Sequence, residues 1–433
     1  MRVVVDSLAY GGDGIATLDD GRTAFVSGSC PGDIVEIDIL SDHGRYVKAV
    51  VRSVTQPSLE RIDPPCPFFG ECGGCQWQHI AYPAQLAAKR TAVTDALQRI
   101  GGLDPSPVID ECMPSPQQFG YRNKIELLAE ERSGRLNLGF ARVGTDEVMP
   151  IPECMLLPQK LRKAPAALQG ALRYLSSRSR DLRLLRVSLR VAANTGDIEV
   201  ALWTEPGPFP RQIAADTLSE AVGASSVVRC LVKGPPKKRD VSSVEVLKGK
   251  GAWRERLTGR SMLASAPSFF QVNTPMAEEL IRIVLEAATE DSTAEVLDLF
   301  CGAGTFTLPL AAEIDDVTCV ESSRYALKDL RRNLDAADLQ ADVIAGDAAR
   351  EISGLGEFDV VVVDPPRAGL TSQLIEAIGN MNLSRLVYVS CDPSTLARDA
   401  AILDSEGLRL RNVKVLDLFP QTYHVETVAE FSR

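Results

Sequence analysis

The chain has 433 residues, of which 45% are hydrophobic and 24% are charged, and its formal net charge is −11. This length exceeds one ordinary domain, so we expect two or three. No stretch has the roughly 18 uninterrupted apolar residues that a membrane span needs, which predicts a soluble, cytoplasmic protein. The excess of acidic residues argues against a protein that coats nucleic acid non-specifically.

Basic residues are nevertheless concentrated in two segments in the middle of the chain. Residues 156–190 contain nine of them and a single acid, Asp181. Solvated faces would explain either segment alone, but two such segments on an acidic chain favour a localised phosphate-binding surface. The first segment contains Lys160, Arg162, Lys163, Arg173, Arg178, Arg180, Arg183, Arg186 and Arg190, and the second contains Lys233, Lys237, Lys238 and Arg239.

The first 55 residues have the pattern of short strands separated by turns rich in glycine, aspartate and proline. Five strands within so short a segment predict a small barrel of the oligonucleotide-binding type. A β-module without any role in RNA binding is the alternative, because barrel shape alone does not determine function. The predicted strands cover residues 2–7, 14–18, 22–26, 33–40 and 46–54.

The middle of the chain predicts a helix over residues 85–100, which ends at Gly101 and Gly102. Strand-like runs follow, but their patterns do not predict how they pair. These runs cover residues 124–128, 184–191, 197–203 and 227–232.

From residue 294 onward, strand patterns alternate with helix patterns. Such alternation predicts an α/β fold, with a parallel sheet covered by helices and a ligand bound at the carboxyl ends of the strands. The predicted strands cover residues 294–300, 317–321, 342–344, 358–363, 386–390, 408–417 and, without a preceding helix, 427–431.

A glycine-rich turn, Gly302-Ala-Gly304, directly follows the first strand of this sheet. Glu321 ends the next strand, where a carboxylate can accept hydrogen bonds from ribose hydroxyls. A dinucleotide fingerprint would have a third glycine at position 307, which is Thr307. Further acids, Asp347 and Asp364, follow the third and fourth strands. Acids at successive strand ends suit a cationic sulfonium, so the pattern favours S-adenosylmethionine over a dinucleotide.

Two motifs after the next strands indicate the reaction. Asp364-Pro-Pro-Arg367 resembles the motif of amino-methylating enzymes, but Arg367 replaces their aromatic residue, which argues against amine methylation. Cys391 lies at the carboxyl end of the fifth strand and just before a helix, whose N-terminus would stabilise a thiolate. A lone cysteine is usually a small buried hydrophobic residue, but this one occupies a ligand position of the fold.

A thiolate is what methylation of C5 of uracil requires. C5 is a poor nucleophile until a thiolate adds to C6, and the methylated adduct then needs a base that removes the C5 proton. Glu426, at the start of the final strand, is the expected base, and His424 is the alternative. A polar pair at a strand entrance without a catalytic role would produce the same pattern.

These residues together resemble the RNA uridine-C5 methyltransferase family, which includes 23S rRNA enzymes and tRNA thymine-loop enzymes. The resemblance implies that Cys391 is the nucleophile, that Glu426 is the proton acceptor, and that S-adenosylmethionine is the cofactor. Thr305 departs from the asparagine that is common in the family, which puts one cofactor hydrogen bond in doubt. The implied cofactor-site residues are Gln271, Phe300, Gly302, Gly304, Thr305, Glu321, Asp347 and Asp364. The motifs that carry the resemblance are Phe-Phe-Gln271-Val-Asn, Asp-Leu-Phe300-Cys-Gly-Ala-Gly, Asp364-Pro-Pro-Arg-Ala-Gly, Ser-Cys391-Asp-Pro-Ser-Thr-Leu-Ala-Arg-Asp and His-Val-Glu426.

Three of the ten cysteines, Cys66, Cys72 and Cys75, lie within ten residues of each other. Spacing alone leaves open a zinc site with four thiolates. The resemblance implies that Cys154 completes a [4Fe-4S] cluster, whose role would be to fold the central domain.

We therefore expect three domains: a TRAM or OB-like barrel at 1–55, a central α+β domain with the cluster and the basic segments at 56–260, and a methyltransferase domain of class I, Rossmann-like, at 261–433.

The partner is expected to be 23S rRNA, because the tRNA branch of the family is expected to lack both barrel and cluster. Neither DNA nor a membrane is expected as a partner, and the protein is expected to be a monomer. The alternatives are the same chemistry on tRNA uridine or on RNA cytosine, and a non-catalytic RNA-binding or ribosome-assembly factor. Arg367 argues against the cytosine enzymes, because these have a further cysteine at that place.

Overall fold

A computed structural model describes residues 1–132, 134–179, 182–234, 240–289 and 294–433. Within these residues, no helix is both long enough and apolar enough to cross a membrane. Some of the residues singled out from the sequence lie outside the described residues, namely Arg180, Asp181, Lys237, Lys238 and Arg239.

The described chain forms two compact units, and each is assembled from segments that are distant in sequence. The first unit comprises Met1–Gln118, Pro366–Leu370 and Val389–Phe431. The second unit comprises Phe119–Pro365, Thr371–Tyr388 and Ser432–Arg433.

The N-terminal strands of the first unit close into a barrel in the order β1-β2-β3-β5-β4. All neighbouring strands are antiparallel except β3 and β5, which are parallel. Alternate side chains such as Val3, Val5 and Val26 fill the interior, which is what a two-residue period requires. The predicted five-strand barrel is confirmed. Its strands are β1 (Arg2–Leu8), β2 (Gly14–Thr17), β3 (Thr23–Ser27), β4 (Ile34–Asp42) and β5 (Tyr46–Gln56).

The next element of the first unit is helix α1 (Tyr82–Arg99). It begins three residues before the predicted start, because Pro83 has the backbone angle that suits a first helical turn. Within the same unit, α1 packs against α9 (Pro393–Ser405).

The second unit contains a mixed sheet in the order β12-β11-β10-β9-β6-β7-β8. Its pairings are antiparallel except for β10 and β11, which are parallel and are connected through α3. Helices α2 and α3 cover one face, where leucines such as Leu168 and Leu172 of α2 are fully buried. The elements are β6 (Lys124–Arg132), β7 (Arg135–Ala141), β8 (Val148–Met149), a 3₁₀ helix (Gln159–Leu161), α2 (Ala164–Arg178), β9 (Leu184–Val191), β10 (Ile198–Thr204), α3 (Arg211–Val222), β11 (Ser226–Lys233) and β12 (Asp240–Lys248). A separate hairpin follows, formed by β13 (Trp253–Leu257) and β14 (Arg260–Ala264).

The predicted α/β sheet is also present, in the order β17-β16-β15-β18-β19-β21-β20. Strands β15 to β19 pair in parallel, and the order reverses at β15, where folds of this kind bind their ligands. Strand β19 begins in the second unit and ends in the first, which also contains β20 and β21. The elements are α4 (Thr274–Ala288), β15 (Val296–Leu299), α5 (Thr307–Leu310), β16 (Val317–Glu321), α6 (Arg324–Ala337), β17 (Asp342–Ala345), α7 (Ala348–Glu351), a 3₁₀ helix (Ile352–Gly354), β18 (Val360–Val363), α8 (Ser372–Asn380), β19 (Arg385–Ser390), β20 (Arg409–Leu416) and β21 (Glu426–Ser432).

Candidate active site

The glycine-rich turn in the second unit leaves β15 with an unusual backbone. Phe300, Gly302 and Gly304 all have positive φ angles, of 64°, 60° and 97°. A Cβ atom on Gly304 would lie 2.3 Å from Leu308 and 2.7 Å from Leu330, so only glycine fits there. Phe300 has no such freedom, and a non-glycine residue in this conformation is strained, which is typical of functional sites.

The carboxylate of Glu321 fixes the end of this turn. Its Oε2 accepts a hydrogen bond from the backbone N–H of Gly302 at 3.0 Å, and its Oε1 accepts one from Ser323 at 2.6 Å. Thr305 lies half-buried in the same turn. The turn and the acid that ends β16 are therefore joined directly.

Two carboxyl groups in the second unit, those of Asp298 and Asp364, have strongly raised pKa values. Burial raises the pKa of Asp298 to about 7, with a smaller contribution from the charge of Asp364. Burial also raises the pKa of Asp364, which directly follows β18, to about 7. Oδ2 of Asp298 accepts a hydrogen bond from Thr307 at 2.6 Å, whereas its buried Oδ1 has no partner among the described residues. A nearby cation would stabilise both carboxylates, so these residues fit a positively charged ligand such as a sulfonium.

Gln271 and Asp347 have different surroundings within the second unit. Gln271 is buried before α4, and its backbone carbonyl accepts a hydrogen bond from the side chain of Asn123 at 2.8 Å. Asp347 is exposed in front of α7. Its neighbour Gly346 donates a backbone hydrogen bond to the carbonyl of Glu321 at 3.0 Å, which brings Asp347 close to Glu321.

The predicted nucleophile lies in the first unit. Cys391 is half-buried between the end of β19 and the start of α9. The next residue, Asp392, caps this helix, since its carboxylate accepts hydrogen bonds from the backbone N–H groups of Ser394 at 2.9 Å and Thr395 at 3.2 Å. The thiol therefore lies at the positive end of a capped helix, which favours the thiolate.

Aromatic residues lie near this turn in the first unit, and of these the sequence singled out His424 as the alternative base but not Tyr10 or Tyr423. The hydroxyl of Tyr10 lies 3.4 Å from the carbonyl oxygen of Cys391. The ring of Tyr10 contacts Tyr423 edge-on at 5.7 Å, and Tyr423 contacts His424 at 4.3 Å. Nδ1 of His424 lies 3.4 Å from the guanidinium of Arg367.

The predicted base, Glu426, is only 2% exposed and is the first residue of β21. Strand β21 is the neighbour of β19 in the sheet, and Cys391 directly follows β19. The two predicted catalytic residues therefore belong to the same unit and adjoin neighbouring strands.

The segment Pro366–Leu370, which begins at the second of the two prolines, is held by α9, the helix that follows Cys391. Asp399 of α9 is fully buried and accepts a hydrogen bond from the backbone N–H of Leu370 at 2.7 Å. Arg398 donates to the carbonyl oxygens of Ala368 at 2.9 Å and Leu370 at 3.2 Å. Both residues belong to the motif around Cys391, so part of that motif has a structural role.

The structure does not show a metal site at the cysteines of the predicted cluster. Cys66, Cys72 and Cys75 belong to the first unit and Cys154 to the second. Among the residues that the structure describes, no group of three or more His, Cys, Asp or Glu side chains that could hold a metal ion is found. The [4Fe-4S] cluster and the zinc site that the sequence suggested are therefore not shown and stay predictions.

Arg190, in the first basic segment, is structural, which corrects its prediction as a phosphate-binding residue. It is 2% exposed and donates to the carbonyl oxygens of Ser265 at 2.9 Å and Ser268 at 2.5 Å. A guanidinium that is buried among carbonyl groups cannot also bind a phosphate.

A parallel sheet with a glycine-rich turn after β15 and an acid at the end of β16 defines the class of S-adenosylmethionine-dependent methyltransferases. The match to a family model of tRNA (uracil-5-)-methyltransferases covers residues 256–433, and a TRAM domain model matches residues 1–51. With relatives that are more than 30% identical over nearly their full length, the chain belongs to the RNA (uracil-C5) methyltransferase family.

Two relatives and one solved structure show how far the similarity extends. The 23S rRNA (uracil(1939)-C(5))-methyltransferase RlmD of Pseudomonas putida is 32% identical over 440 residues, covering 99% of this chain and 93% of the relative. A protein of Gloeobacter violaceus that is named as an RNA methyltransferase is 35% identical over 452 residues, covering 100% and 96%. The solved structure is the Pyrococcus abyssi tRNA (uracil-54, C5)-methyltransferase in complex with S-adenosyl-L-homocysteine, with 29% identity, a TM-score of 0.77 and coverage of 100% of both chains.

The match to the Pyrococcus enzyme corrects one step of the sequence argument. The barrel was expected to separate rRNA enzymes from tRNA enzymes. A tRNA enzyme that matches this chain over its whole length, barrel included, removes that distinction.

Proposed function

We propose that the chain, an S-adenosylmethionine-dependent RNA uracil-C5 methyltransferase, acts on 23S rRNA through a covalent bond between Cys391 and C6 of the target uridine. The observation that carries the proposal is the position of Cys391 at the capped N-terminus of α9, with the buried Glu426 at the start of the neighbouring strand β21. A target base in structured RNA has to leave its stack to reach such a site.

The proposed reaction assigns a role to two residues of this chain, Cys391 and Glu426. The Cys391 thiolate forms a bond to C6, and the electron pair of the C5–C6 double bond becomes an enolate that makes C5 nucleophilic. When bound, S-adenosylmethionine would supply the methyl group that C5 takes and would be left as S-adenosylhomocysteine. The carboxylate of Glu426 then accepts the C5 proton, the double bond re-forms, and the C6–S bond breaks to release the thiolate. His424 is the alternative base, and its Nδ1 lies 3.4 Å from the guanidinium of Arg367.

The cofactor is proposed to bind in the second unit. Glu321 would accept hydrogen bonds from the ribose hydroxyls, and Gly302 and Gly304 would let the backbone approach the ligand. The raised pKa values of Asp298 and Asp364 support a binding site for a cation. Gln271, Phe300, Thr305 and Asp347 complete the proposed set.

The choice of 23S rRNA rests on the names of relatives that are 32% identical to this chain. The tRNA alternative is supported by the full-length match to the Pyrococcus enzyme. To separate these two substrates, the protein is given labelled S-adenosylmethionine together with transcripts of 23S rRNA domains or of tRNAs. The position of 5-methyluridine is then mapped by mass spectrometry. Methylation of rRNA transcripts alone supports the proposal, and methylation of tRNA alone contradicts it.

A second experiment tests the covalent step. RNA that contains 5-fluorouridine has no C5 proton to lose, so the wild type should form a complex with it that survives denaturing gels. Cys391→Ala should form none, and the control Cys112→Ala, at a buried cysteine of the same unit, should form it normally. Wild-type protein without any such complex contradicts the mechanism.

The role of Glu426 has its own signature. Glu426→Gln should retain bond formation by Cys391 and block proton removal, so a covalent complex should accumulate even with ordinary uridine RNA. Glu430→Gln, on the same strand β21, is the matched control and should turn over normally. Loss of all complex in Glu426→Gln would assign this residue to an earlier step.

Two other activities are separated by the same assays. RNA cytosine methylation would place label in 5-methylcytidine, and Arg367 argues against it. A non-catalytic RNA-binding or assembly factor would bind RNA without any label transfer, and the wild-type reaction distinguishes it directly.

The domain boundaries and the metal cluster remain proposals. Residues 1–55, 56–260 and 261–433 are proposed as the barrel, the central domain and the methyltransferase domain.

The proposal of a [4Fe-4S] cluster rests only on a resemblance, and no reaction step depends on the cluster. The residues that resemble the family's ligands are Cys66, Cys72, Cys75 and Cys154. Protein purified anaerobically should contain about four iron atoms per chain if the cluster forms. Stoichiometric zinc would favour the alternative, and absence of both metals rejects both assignments.

A further inference from the structure

A loop of the N-terminal barrel reaches the nucleophile within the first unit. The loop joins β1 to β2 and is closed by backbone hydrogen bonds from Ala9 to Asp13 at 2.8 Å and from Gly12 to Ala9 at 3.1 Å. Tyr10 lies in this loop. Its side chain is half-buried, although the barrel core itself consists of aliphatic residues.

The loop is held firmly by its neighbours in the same unit. The carbonyl oxygen of Gly12 accepts a hydrogen bond from the indole N–H of Trp77 at 3.1 Å. A Cβ atom on Gly12 would lie 3.2 Å from the ring of Tyr423, so the backbone approaches this ring closely. Leu8, which precedes the loop, packs with Trp77 in a buried cluster. The position of Tyr10 is therefore defined by packing on several sides.

The hydroxyl of Tyr10 has two acceptors on the nucleophile's turn. It lies 3.4 Å from the backbone carbonyl oxygen of Cys391 and 3.5 Å from Oδ2 of Asp392. Oδ1 of Asp392 already accepts from the helix, so the two oxygens of this carboxylate have separate donors. The hydroxyl of Tyr10 thus lies within hydrogen-bonding distance of both Cys391 and Asp392, the residue that caps α9.

This hydroxyl remains a donor at every pH at which the enzyme would work. Burial, and then the charge of Asp392, raise the pKa of Tyr10 well above its ordinary value. In these contacts, therefore, the tyrosine hydroxyl is the donor, and the carbonyl and carboxylate oxygens are the acceptors.

We propose that Tyr10 is a positioning residue for Cys391, through which the barrel sets the orientation of the nucleophile's turn. The inference rests on the proposed function of Cys391. A thiolate has to approach C6 in a narrow range of directions, and a small displacement of its backbone reduces the rate without affecting how tightly RNA binds. Asp392 is the second acceptor of the Tyr10 hydroxyl.

The test is Tyr10→Phe, which keeps the ring and its contact with Tyr423 and removes only the hydroxyl. Tyr46→Phe is the matched control, because Tyr46 is in the same barrel and contacts Phe25 and His43 instead. The readouts are the rate of covalent complex formation with 5-fluorouridine RNA, kcat, the KM for RNA and the melting temperature.

We expect Tyr10→Phe to slow complex formation and kcat about tenfold, equivalent to ~1.4 kcal/mol. The KM for RNA and the melting temperature should stay at their wild-type values, and Tyr46→Phe should match the wild type throughout. Tyr10→Ala should be slower still, since it also loses the ring.

Each other outcome overturns the inference in a recognisable way. Normal complex formation by Tyr10→Phe together with a slow Tyr10→Ala would mean that the ring acts by packing alone. A raised KM with unchanged kcat would make Tyr10 an RNA contact. Wild-type protein that forms no complex would reject the proposed function of Cys391 as well, so the two failures are distinguishable.

Discussion

Lys89 and Asp417 form an ion pair at 2.5 Å in which neither side chain is exposed to solvent. Lys89 is on α1, and Asp417 directly follows β20 in the same unit. Lys89 also donates to the carbonyl oxygen of Phe419 at 3.1 Å. Burial lowers the pKa of Lys89, and the charge of Asp417 opposes this shift. The pair anchors the segment that leads to Tyr423 and His424.

Lys89→Met should destabilise the protein by about 3–5 kcal/mol, because it leaves the carboxylate of Asp417 buried without its charged partner. Urea unfolding of the variant measures this loss. Lys48→Met, at an exposed lysine of the barrel, is the control and should change stability by no more than about 0.5 kcal/mol. The double variant Lys89→Met, Asp417→Leu should recover most of the loss, and strictly additive losses would contradict the pairing.

Asp399→Ala should weaken catalysis through the segment Pro366–Leu370. Removal of this buried carboxylate leaves the N–H of Leu370 without its acceptor and costs about 1–3 kcal/mol of stability. Because the segment also carries Arg367, we expect kcat to fall together with stability. Asp404→Ala is the comparison, since Asp404 is on the same helix and pairs with Arg409 near the surface. Wild-type kcat in Asp399→Ala would show that the segment's position has no effect on the reaction.

Asp298→Asn should reduce the pH dependence of stability. The pKa of Asp298 is about 7 in the folded protein and near 3.8 when unfolded, so the folded state keeps a proton that the unfolded state loses. Stability contributed by this group therefore falls as pH rises from about 4 to about 7, by at most ~1.4 kcal/mol per pH unit. Asp364 acts in the same direction, so the variant should keep a smaller slope.

Urea unfolding between pH 4.5 and 8 measures these slopes. Asp316→Asn, at an exposed position, should retain the wild-type slope. A variant slope equal to that of the wild type would mean that Asp298 is ionised throughout this range.

Glu321→Gln should weaken binding of S-adenosylmethionine about tenfold or more. The amide can accept fewer hydrogen bonds than the carboxylate, and its NH₂ group would face the backbone N–H of Gly302 or Ser323. Isothermal titration calorimetry on the full chain reports the dissociation constant. Glu313→Gln, at an exposed position after α5, should bind normally. Unchanged affinity in Glu321→Gln would remove this residue from the cofactor site.

Local patterns predicted the barrel and the α/β sheet well. Alternation such as that of Val3 and Val5 identifies barrel strands, and the buried run that ends at Val363 identifies β18. The middle sheet was not predicted because its pairing is non-local. Strand β6 pairs with β9, more than fifty residues later in the chain, and nothing in either strand specifies its partner.

Sequence motifs singled out only part of the candidate site. Cys391, Glu426 and the turn at Gly302 are recognisable because each adjoins a strand end. Tyr10 is separated from Cys391 by 381 residues and has no motif, so only the folded structure reveals the contact. Arg190 was misjudged for a related reason, because sequence shows that a residue is charged and does not show that it is buried.

The first unit is assembled from both ends of the described chain, and this has a consequence during synthesis. Its barrel can form as soon as residues 1–56 have left the ribosome, because those strands pair locally. Cys391 and Asp417, the partners of Tyr10 and Lys89, are made only hundreds of residues later. A nascent chain would therefore expose the surfaces of α1 and the barrel loop for most of its translation. The thiol of Cys391 would have its surroundings in this unit only once β21, the neighbour of β19 in the sheet, had been translated.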